Sequence, residues 1–316
     1  MKKIINIISI LLVCLIISGC GLIKDDVYLV YTSDVHGNVN GDIGYAGLKS
    51  YVKELKKKSP VLLVDGGDFF CGQGIADNTK GDAIIDIMNE VGYDVATVGN
   101  NDIIYGLEQT KKVFDKAKFD LVSCNLRYIG SNEDPYTKVK PYVIKRVGGI
   151  KVAFIGIMTP EALIETDLAY RNNTENGELA IDIYTNPNDS SDTGDALYAR
   201  VQEVIDEARS KADIVVALAH LGIYNRNVMN CDKFINATRG VDIVLDAHAH
   251  TDHEGEMFKN VDGEDVLYMA VGCNLDRIGV VKIKTDGTYE SEFINNVTDK
   301  DIDTQSLIND LIDKYE

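Results

Sequence analysis

The sequence has little positive charge. It contains 32 lysine and arginine residues against 50 aspartate and glutamate residues, which gives a formal net charge of −18. This balance argues against binding to nucleic-acid polymers, because lysine and arginine neutralise their phosphate backbones. A small anionic substrate would need a strong local positive centre in a protein this acidic.

The sequence also lacks a hydrophobic run long enough for a membrane-spanning helix. Its most apolar stretch, Ile4–Ile17, is shorter than the roughly 20 residues that such a helix requires. Two lysines precede this stretch, and Ser-Gly-Cys follows it and ends at Cys20, an order typical of a secretory signal peptide. The ending Ile-Ser-Gly-Cys resembles a bacterial lipobox. That resemblance implies that Cys20 carries lipid and becomes the first residue of the mature protein.

We therefore expect a lipoprotein signal peptide over residues 1–19 and a tether over residues 20–26. The protein would be extracytoplasmic and anchored to the bacterial cell membrane through its N-terminal lipid. The alternative is an ordinary signal peptide with an incidental cysteine. The rest of the chain has a length that suits one large domain or two small ones.

Cysteines are few, and their spacing matches no zinc module. Disulfides are possible in an exported chain, but buried free thiols are an equal alternative. The sequence leaves the pairing open for Cys71, Cys124, Cys231 and Cys273.

Short apolar segments alternate with amphipathic segments, which indicates an α/β fold with mixed sheets and covering helices. The predicted strands and hairpins are Val27–Tyr31, Val61–Asp65, Asp94–Asn100, Asp120–Leu126, Pro141–Met158, Asp213–Gly222, Val241–His250 and Gly279–Ile294. The predicted helices are Gly47–Lys58, Asp82–Gly92, Leu107–Lys118, Ala196–Lys211 and Thr304–Tyr315. The polar stretch Thr185–Asp195 is predicted to be a surface loop.

Metal-ligand residue types follow the predicted strands. The candidates are Asp34, His36, Asp68, Asn100, His220, His248 and His250. Open α/β sheets bind ligands beyond the carboxyl ends of their strands, and residues two apart in an extended segment point to the same side. Mixed imidazole and carboxylate ligands suit zinc, manganese or iron. Each residue alone could be a turn residue, a helix cap or a structural histidine, but their coincidence favours a site for two divalent ions.

The motifs "SDVHGN", "DGGD", "GNND", "AHLG" and "DAHAHT" resemble those of the calcineurin-like metallophosphoesterase superfamily. Their order, with "SCNL" between the third and fourth, resembles the 5′-nucleotidase and 2′,3′-cyclic phosphodiesterase branch. The resemblance implies a four-layer α/β/β/α sandwich, which we place at residues 27–297, followed by a helical tail at 298–316. We expect the chain to comprise the catalytic domain without the C-terminal substrate domain of that branch.

The resemblance also implies a role for each ligand. One metal ion would be held by Asp34, His36 and His250, the other by Asn100, His220 and His248, and Asp68 would bridge them. The implied reaction is attack of a metal-bound hydroxide on the phosphorus of a small phosphorylated substrate, nucleotide-like or otherwise.

The chain departs from the family where the branch carries a catalytic histidine and its aspartate partner. These positions hold Asn101 and Ile104. Asparagine donates a hydrogen bond but cannot transfer a proton, a step worth roughly 10²–10⁴-fold in rate. We therefore predict a preference for diesters or good leaving groups, with Asn101 and Asp102 as the catalytic candidates. His253 is a further candidate acid. The alternative function is a non-catalytic lipoprotein that binds a phosphorylated ligand through the metals; the oligomeric state stays open.

Overall fold

The computed structural model describes residues 25–316. The predicted signal peptide and Cys20 lie outside the described residues, so lipid attachment stays a prediction. Among residues 25–316, no helix is both long enough and apolar enough to cross a membrane.

The strands of the described chain are mostly short. They are β1 (Val27–Thr32), β2 (Val61–Asp65), β3 (Val95–Thr97), β4 (Asp120–Val122), β5 (Arg127–Tyr128), β6 (Val139–Lys140), β7 (Tyr142–Val147), β8 (Ile150–Met158), β9 (Thr174–Glu175), β10 (Glu178–Leu179), β11 (Ile181–Asp182), β12 (Ile214–His220), β13 (Ile243–Asp246), β14 (Asp252–Lys259), β15 (Asp265–Val271), β16 (Ile278–Ile283) and β17 (Tyr289–Ile294).

The α-helices include every helix that the sequence predicts. They are α1 (Gly44–Lys56), α2 (Ile75–Thr79), α3 (Asp82–Val91), α4 (Leu107–Lys116), α5 (Leu168–Asn172), α6 (Asp195–Arg209), α7 (Cys231–Ala237) and α8 (Ile302–Tyr315), with 3-10 turns at Asn101–Ile103 and Pro160–Leu163. The predicted loop Thr185–Asp195 ends where α6 begins.

Two mixed sheets form the centre of the fold. The first has the strand order β17-β16-β1-β2-β3-β4-β6; β1, β2, β3, β4 and β6 run parallel to one another, and β16 is antiparallel to β1. The second has the order β14-β15-β13-β12-β8-β7, with a parallel centre formed by β15, β13, β12 and β8. Both predicted hairpins, β7–β8 and β16–β17, are present and antiparallel.

Three hydrophobic cores separate four layers. Helices α1, α3, α4 and α8 cover the first sheet, the two sheets pack on each other, and α6 and α7 cover the second sheet. In β1, Leu29 and Tyr31 face the core between the sheets, whereas Val30 faces the helices. A strand buried on both faces reads as a continuous apolar run, which explains the pattern in the sequence. The predicted α/β/β/α architecture is confirmed.

The predicted strand Asp120–Leu126 is shorter in the structure because β4 ends at Val122. Asn125 leaves the sheet and bonds the end of β8. Its Nδ2 donates to the carbonyl of Met158, and its Oδ1 accepts from the Met158 amide, at 2.8 and 2.9 Å. This side chain therefore ties the ends of β4 and β8 together.

The four cysteines within residues 25–316 are free thiols. Cys71, Cys124 and Cys231 are buried, and Cys273 is partly exposed. Of the two alternatives left open by the sequence, the structure therefore has unpaired thiols for these residues.

The C-terminal helix α8 is part of the packed domain. Ile308 on this helix is fully buried in the core beneath the first sheet, and Leu307, Leu311 and Ile312 pack against the same core. The Asp301 carboxylate caps the helix by accepting from the Thr304 amide at 3.1 Å. The boundary predicted between residues 297 and 298 thus does not separate two cores.

Replacing Ile308 by alanine should destabilise the protein by about 2–5 kcal/mol, because the substitution leaves a cavity in a core. Ile302→Ala in the same helix is the matched control, since Ile302 is 83% exposed and Ile308 is 0% exposed. Urea unfolding would measure both variants. Equal stability of the two would mean that α8 does not pack on the domain in solution.

Candidate metal centre

Seven candidate ligands converge at one edge of the two sheets. Each lies at or just after the carboxyl end of a parallel strand, in the order Asp34 and His36 after β1, Asp68 after β2, Asn100 after β3, His220 at the end of β12, and His248 and His250 after β13. The first sheet therefore supplies the carboxylates, the amide and one histidine. The second sheet supplies the other three histidines.

The first group of ligands comprises Asp34, His36 and His250. The Nε2 atoms of His36 and His250 are 3.1 Å apart, and His250 Nε2 is 3.5 Å from Asp34 Oδ1. Two imidazole nitrogens and a carboxylate oxygen this close together could hold a metal ion.

The second group comprises Asp68, His220 and His248. His220 Nε2 lies 3.2 Å from Asp68 Oδ2 and 3.2 Å from Asn100 Oδ1, so the amide of Asn100 faces the same group. Asp68 Oδ2 is also 3.9 Å from His36 Nε2 of the first group. The carboxylate of Asp68 therefore lies between the two groups, where it could serve both.

Hydrogen bonds to backbone carbonyls set the ring orientation of two histidines. His220 Nδ1 is 2.7 Å from the Gly66 carbonyl, and His36 Nδ1 is 3.3 Å from the Cys71 carbonyl. A carbonyl accepts only, so Nδ1 carries a proton and Nε2 is the nitrogen that faces the site. The donor set thus fits two divalent ions of the zinc, manganese or iron type.

Asp68 and His220 interact electrostatically at the base of the site. Burial would raise the pKa of Asp68, but the imidazoles of His220 and His36 outweigh burial and hold it below its usual value. Burial likewise opposes the charged form of His220, yet the Asp68 carboxylate raises the pKa of His220 to about 10. A metal ion would take the place of the proton in this buried pair.

The ligands converge through left-handed backbone rather than through extended segments. Asp34 and His36 both have φ of 48°, and His248 and His250 have φ of 76° and 53°. Our prediction that residues two apart share a direction in extended chain is wrong for both pairs, because β1 and β13 end before them. Positive φ is uncommon for residues other than glycine, and strained backbone of this kind clusters at functional sites.

Asn101 bonds Asp68 twice. Its backbone amide donates to Asp68 Oδ1 at 2.8 Å, and its side-chain Nδ2 donates to Asp68 Oδ2 at 2.7 Å. Each carboxylate oxygen has a second lone pair, so these bonds leave room for metal coordination. Asn101 therefore orients the carboxylate that lies between the two groups.

Asp102, the other candidate at this turn, holds the backbone. It is fully buried, and its carboxylate accepts from the amides of Asp68 and Gly99 at 2.8 Å each and from that of Phe69 at 3.0 Å. Burial, together with the charge of Asp68, raises the pKa of Asp102 to about 7. Because its oxygens face these amides, the structure does not support the expectation that Asp102 donates a proton to a substrate.

His253 lies on β14 rather than among the ligands. Its Nδ1 is 2.6 Å from Glu256 Oε1, and its ring packs on the edge of Tyr268. These contacts do not support its expected role as an alternative acid.

Sequence reasoning missed Glu161, which contacts a candidate ligand. Glu161 Oε2 is 2.7 Å from His248 Nε2. The His248 imidazole is the main cause that lowers the pKa of Glu161. The same rule that found the ligands could have found Glu161, because it follows the carboxyl end of β8 by three residues.

Replacing Asp102 by asparagine should destabilise the protein by about 1–3 kcal/mol, because an amide NH₂ would face backbone amides that need an acceptor. It should also weaken metal binding, since the amide of Asp68 would lose its acceptor. Thermal unfolding and zinc titration of the full chain would measure both effects.

Asp189→Asn is the matched control, because Asp189 accepts from the Ser191 amide in an exposed turn. Unchanged stability and metal affinity in Asp102→Asn, together with lost turnover, would restore Asp102 as a candidate acid.

Comparison with known proteins identifies a family and several relatives of the chain. A family model described as bacterial capsule synthesis protein PGA_cap matches residues 67–268. A Haemophilus influenzae protein named 2′,3′-cyclic-nucleotide 2′-phosphodiesterase/3′-nucleotidase is 24% identical over 275 residues. The match covers 77% of this chain and 39% of the relative, so the chain spans about two fifths of that protein.

Solved structures share the fold at low sequence identity. The 5′-nucleotidase precursor from Thermus thermophilus has a TM-score of 0.74 at 20% identity, over 92% of this chain and 59% of the other. The calcineurin-like phosphoesterase YfkN from Bacillus subtilis has a TM-score of 0.70 at 21% identity, over 92% of this chain and 98% of the other.

Proposed function

The chain belongs to the family of the bacterial capsule synthesis protein PGA_cap and is a calcineurin-like metallophosphoesterase, and on this basis we propose that it hydrolyses phosphoesters with two divalent metal ions. The observation that carries the proposal is the position of Asp68. Its Oδ2 lies 3.2 Å from His220 Nε2 in one ligand group and 3.9 Å from His36 Nε2 in the other.

The residues at the strand ends form two sets of ligands, one for each proposed metal ion. Asp34, His36 and His250 would hold one ion, and Asn100, His220 and His248 would hold the other, with Asp68 between them. The ions would be manganese, zinc or iron. When bound, such a pair polarises a phosphoryl group and lowers the pKa of a coordinated water. It also supplies the local positive centre that an anionic substrate needs in a chain with a net charge of −18.

Asn101 is the basis for the proposed substrate preference. Its side-chain amide donates to Asp68 at 2.7 Å and has no proton to transfer. An alkoxide leaving group needs a proton as it departs, whereas a leaving group of low pKa does not. The chain should therefore favour diesters and activated esters over alkyl phosphomonoesters.

The substrate itself is proposed from the names of relatives. The Haemophilus influenzae relative is named for cyclic and 3′ nucleotides, and this chain covers 39% of it. We assign a small phosphorylated substrate, nucleotide-like or another phosphoester. We also propose that the protein works outside the cytoplasm, anchored to the membrane by lipid at Cys20, because residues 1–20 have the layout of a lipoprotein signal.

The full chain in detergent should hydrolyse bis(p-nitrophenyl) phosphate and p-nitrophenyl phosphate in the presence of manganese or zinc, because both release a leaving group of low pKa. Asp68→Asn should reduce the rate of hydrolysis by roughly 10²-fold or more, because the two metal ions stabilise the transition state by several kcal/mol. Absorbance of released nitrophenolate measures both. Asp189→Asn again serves as the surface control.

Bound metal without turnover on either ester would reject hydrolysis and favour the alternative of a non-catalytic lipoprotein that binds phosphorylated ligands. The absence of a proton donor at Asn101 is the observation that supports this second candidate.

Replacing Asn101 by histidine should raise turnover of an alkyl phosphomonoester and change that of p-nitrophenyl esters little, because general acid catalysis helps only the poor leaving group. The gain has an upper range of roughly 10²–10⁴-fold. Asn132→His, at an exposed position, controls for adding a histidine. No gain on the alkyl ester would mean that another group is the acid or that the proposed preference is wrong.

A further inference from the structure

A carboxylate that belongs to neither ligand group connects a ligand to a neighbouring loop. Glu161 Oε2 lies 2.7 Å from His248 Nε2, and Glu161 Oε1 accepts from Asn227 Nδ2 at 3.0 Å. Both oxygens of this partly buried side chain are therefore engaged. Glu161 thus bridges a candidate metal ligand and the segment that follows β12.

The backbone around Glu161 is fixed independently of His248. Thr159 Oγ1 accepts from the Glu161 amide at 3.3 Å at the start of the 3-10 turn, and Pro160 occupies its first position. Just before this turn, at the end of β8, the side chain of Asn125 donates to the carbonyl of Met158 and accepts from its amide. The carboxylate of Glu161 is therefore positioned next to His248 by a turn that is fixed by hydrogen bonds.

Three of the candidate histidine ligands have one ring nitrogen bonded to an oxygen acceptor outside the ligand set. For His36 and His220 the acceptor is a backbone carbonyl, that of Cys71 or Gly66. For His248 the acceptor is the Glu161 carboxylate. An imidazole whose Nε2–H donates to a carboxylate presents its Nδ1 lone pair and becomes a stronger base. Of these three contacts to acceptors outside the ligand set, the Glu161 contact is the one made by a charged group.

We propose that Glu161 is a positioning residue that fixes the ring of His248 with Nδ1 towards the metal centre. Through Asn227 it also holds the loop that follows β12 against this centre. The inference rests on the proposed function in one respect, that the site binds divalent ions. It adds a residue that none of the sequence motifs contains.

The loop concerned is Leu221–Asn230, between β12 and α7. Asn225 braces it, because its Nδ2 donates to the Leu221 carbonyl at 2.8 Å and its Oδ1 accepts from the Asn227 amide at 3.0 Å. A Cβ atom at Gly222 would lie 3.1 Å from Ala249 Cβ, so the loop packs on the residue between His248 and His250. Through Glu161 and Asn227, the ends of β8, β12 and β13 are held together.

The first test reads the His248 ring directly and needs neither metal nor turnover. In the metal-free full chain with ¹⁵N-labelled histidine, NMR should find His248 protonated on Nε2, its signal assigned by its loss in His248→Asn. Glu161→Gln should give a mixture of tautomers, because a neutral amide oxygen is a weaker acceptor than a carboxylate. Glu165→Gln is the matched control, as Glu165 is exposed in the same segment.

The second test measures zinc binding by calorimetry. Glu161→Gln should lower the affinity for one of the two zinc ions by about 10- to 100-fold, which is the usual effect of removing the hydrogen-bond partner of a metal-bound histidine. Asn227→Ala removes only the hydrogen bond between Glu161 and the loop, so it should lower the zinc affinity less. Circular dichroism of each variant tests whether the fold is retained.

Unchanged tautomer and unchanged zinc affinity in a folded Glu161→Gln variant would overturn the proposal. An equal loss in Asn227→Ala would overturn it too, since the loop and not the histidine contact would then matter. Wild type that binds zinc but turns over no ester would reject the proposed function, while the two measurements on Glu161 would still decide this inference.

Discussion

The position of one carboxylate, that of Asp68, governs the rest of the candidate site. The residue has a left-handed backbone with φ of 57°, and its amide is held by the buried Asp102 at 2.8 Å. Its oxygens accept from Asn101, and His220 faces it from the other sheet. A carboxylate so constrained pays little entropy when ions bind, which is the advantage of a preorganised site.

Much of this arrangement could be predicted from the sequence. Runs such as Val61–Val64 are apolar throughout because both of their faces are buried, so the strands and their carboxyl ends can be identified from the sequence. Ligand-type residues at those ends then had to meet at one edge of the fold. Asn101 and Ile104 stand out in the sequence because the rest of their motif matches the family pattern.

Other features could not be predicted, for physical reasons. Residue type does not reveal a positive φ at Asp34 or His248, because that conformation is imposed by the surrounding turns. Aspartate is a residue type that can act as a catalytic acid, and only the contacts of Asp102 with distant backbone amides reveal its structural role. The burial of Ile308 beneath the first sheet depends on long-range packing that an amphipathic pattern does not specify.

The origin of the ligands in both sheets has a consequence for how the protein unfolds. Ions bound between Asp34 or Asp68 on one sheet and the histidines on the other would cross-link the two halves of the sandwich through the site. By mass action, an ion at 100 times its dissociation constant adds about 2.7 kcal/mol to the free energy of unfolding. The supply of metal ions would then influence the lifetime of the folded protein as well as its chemistry.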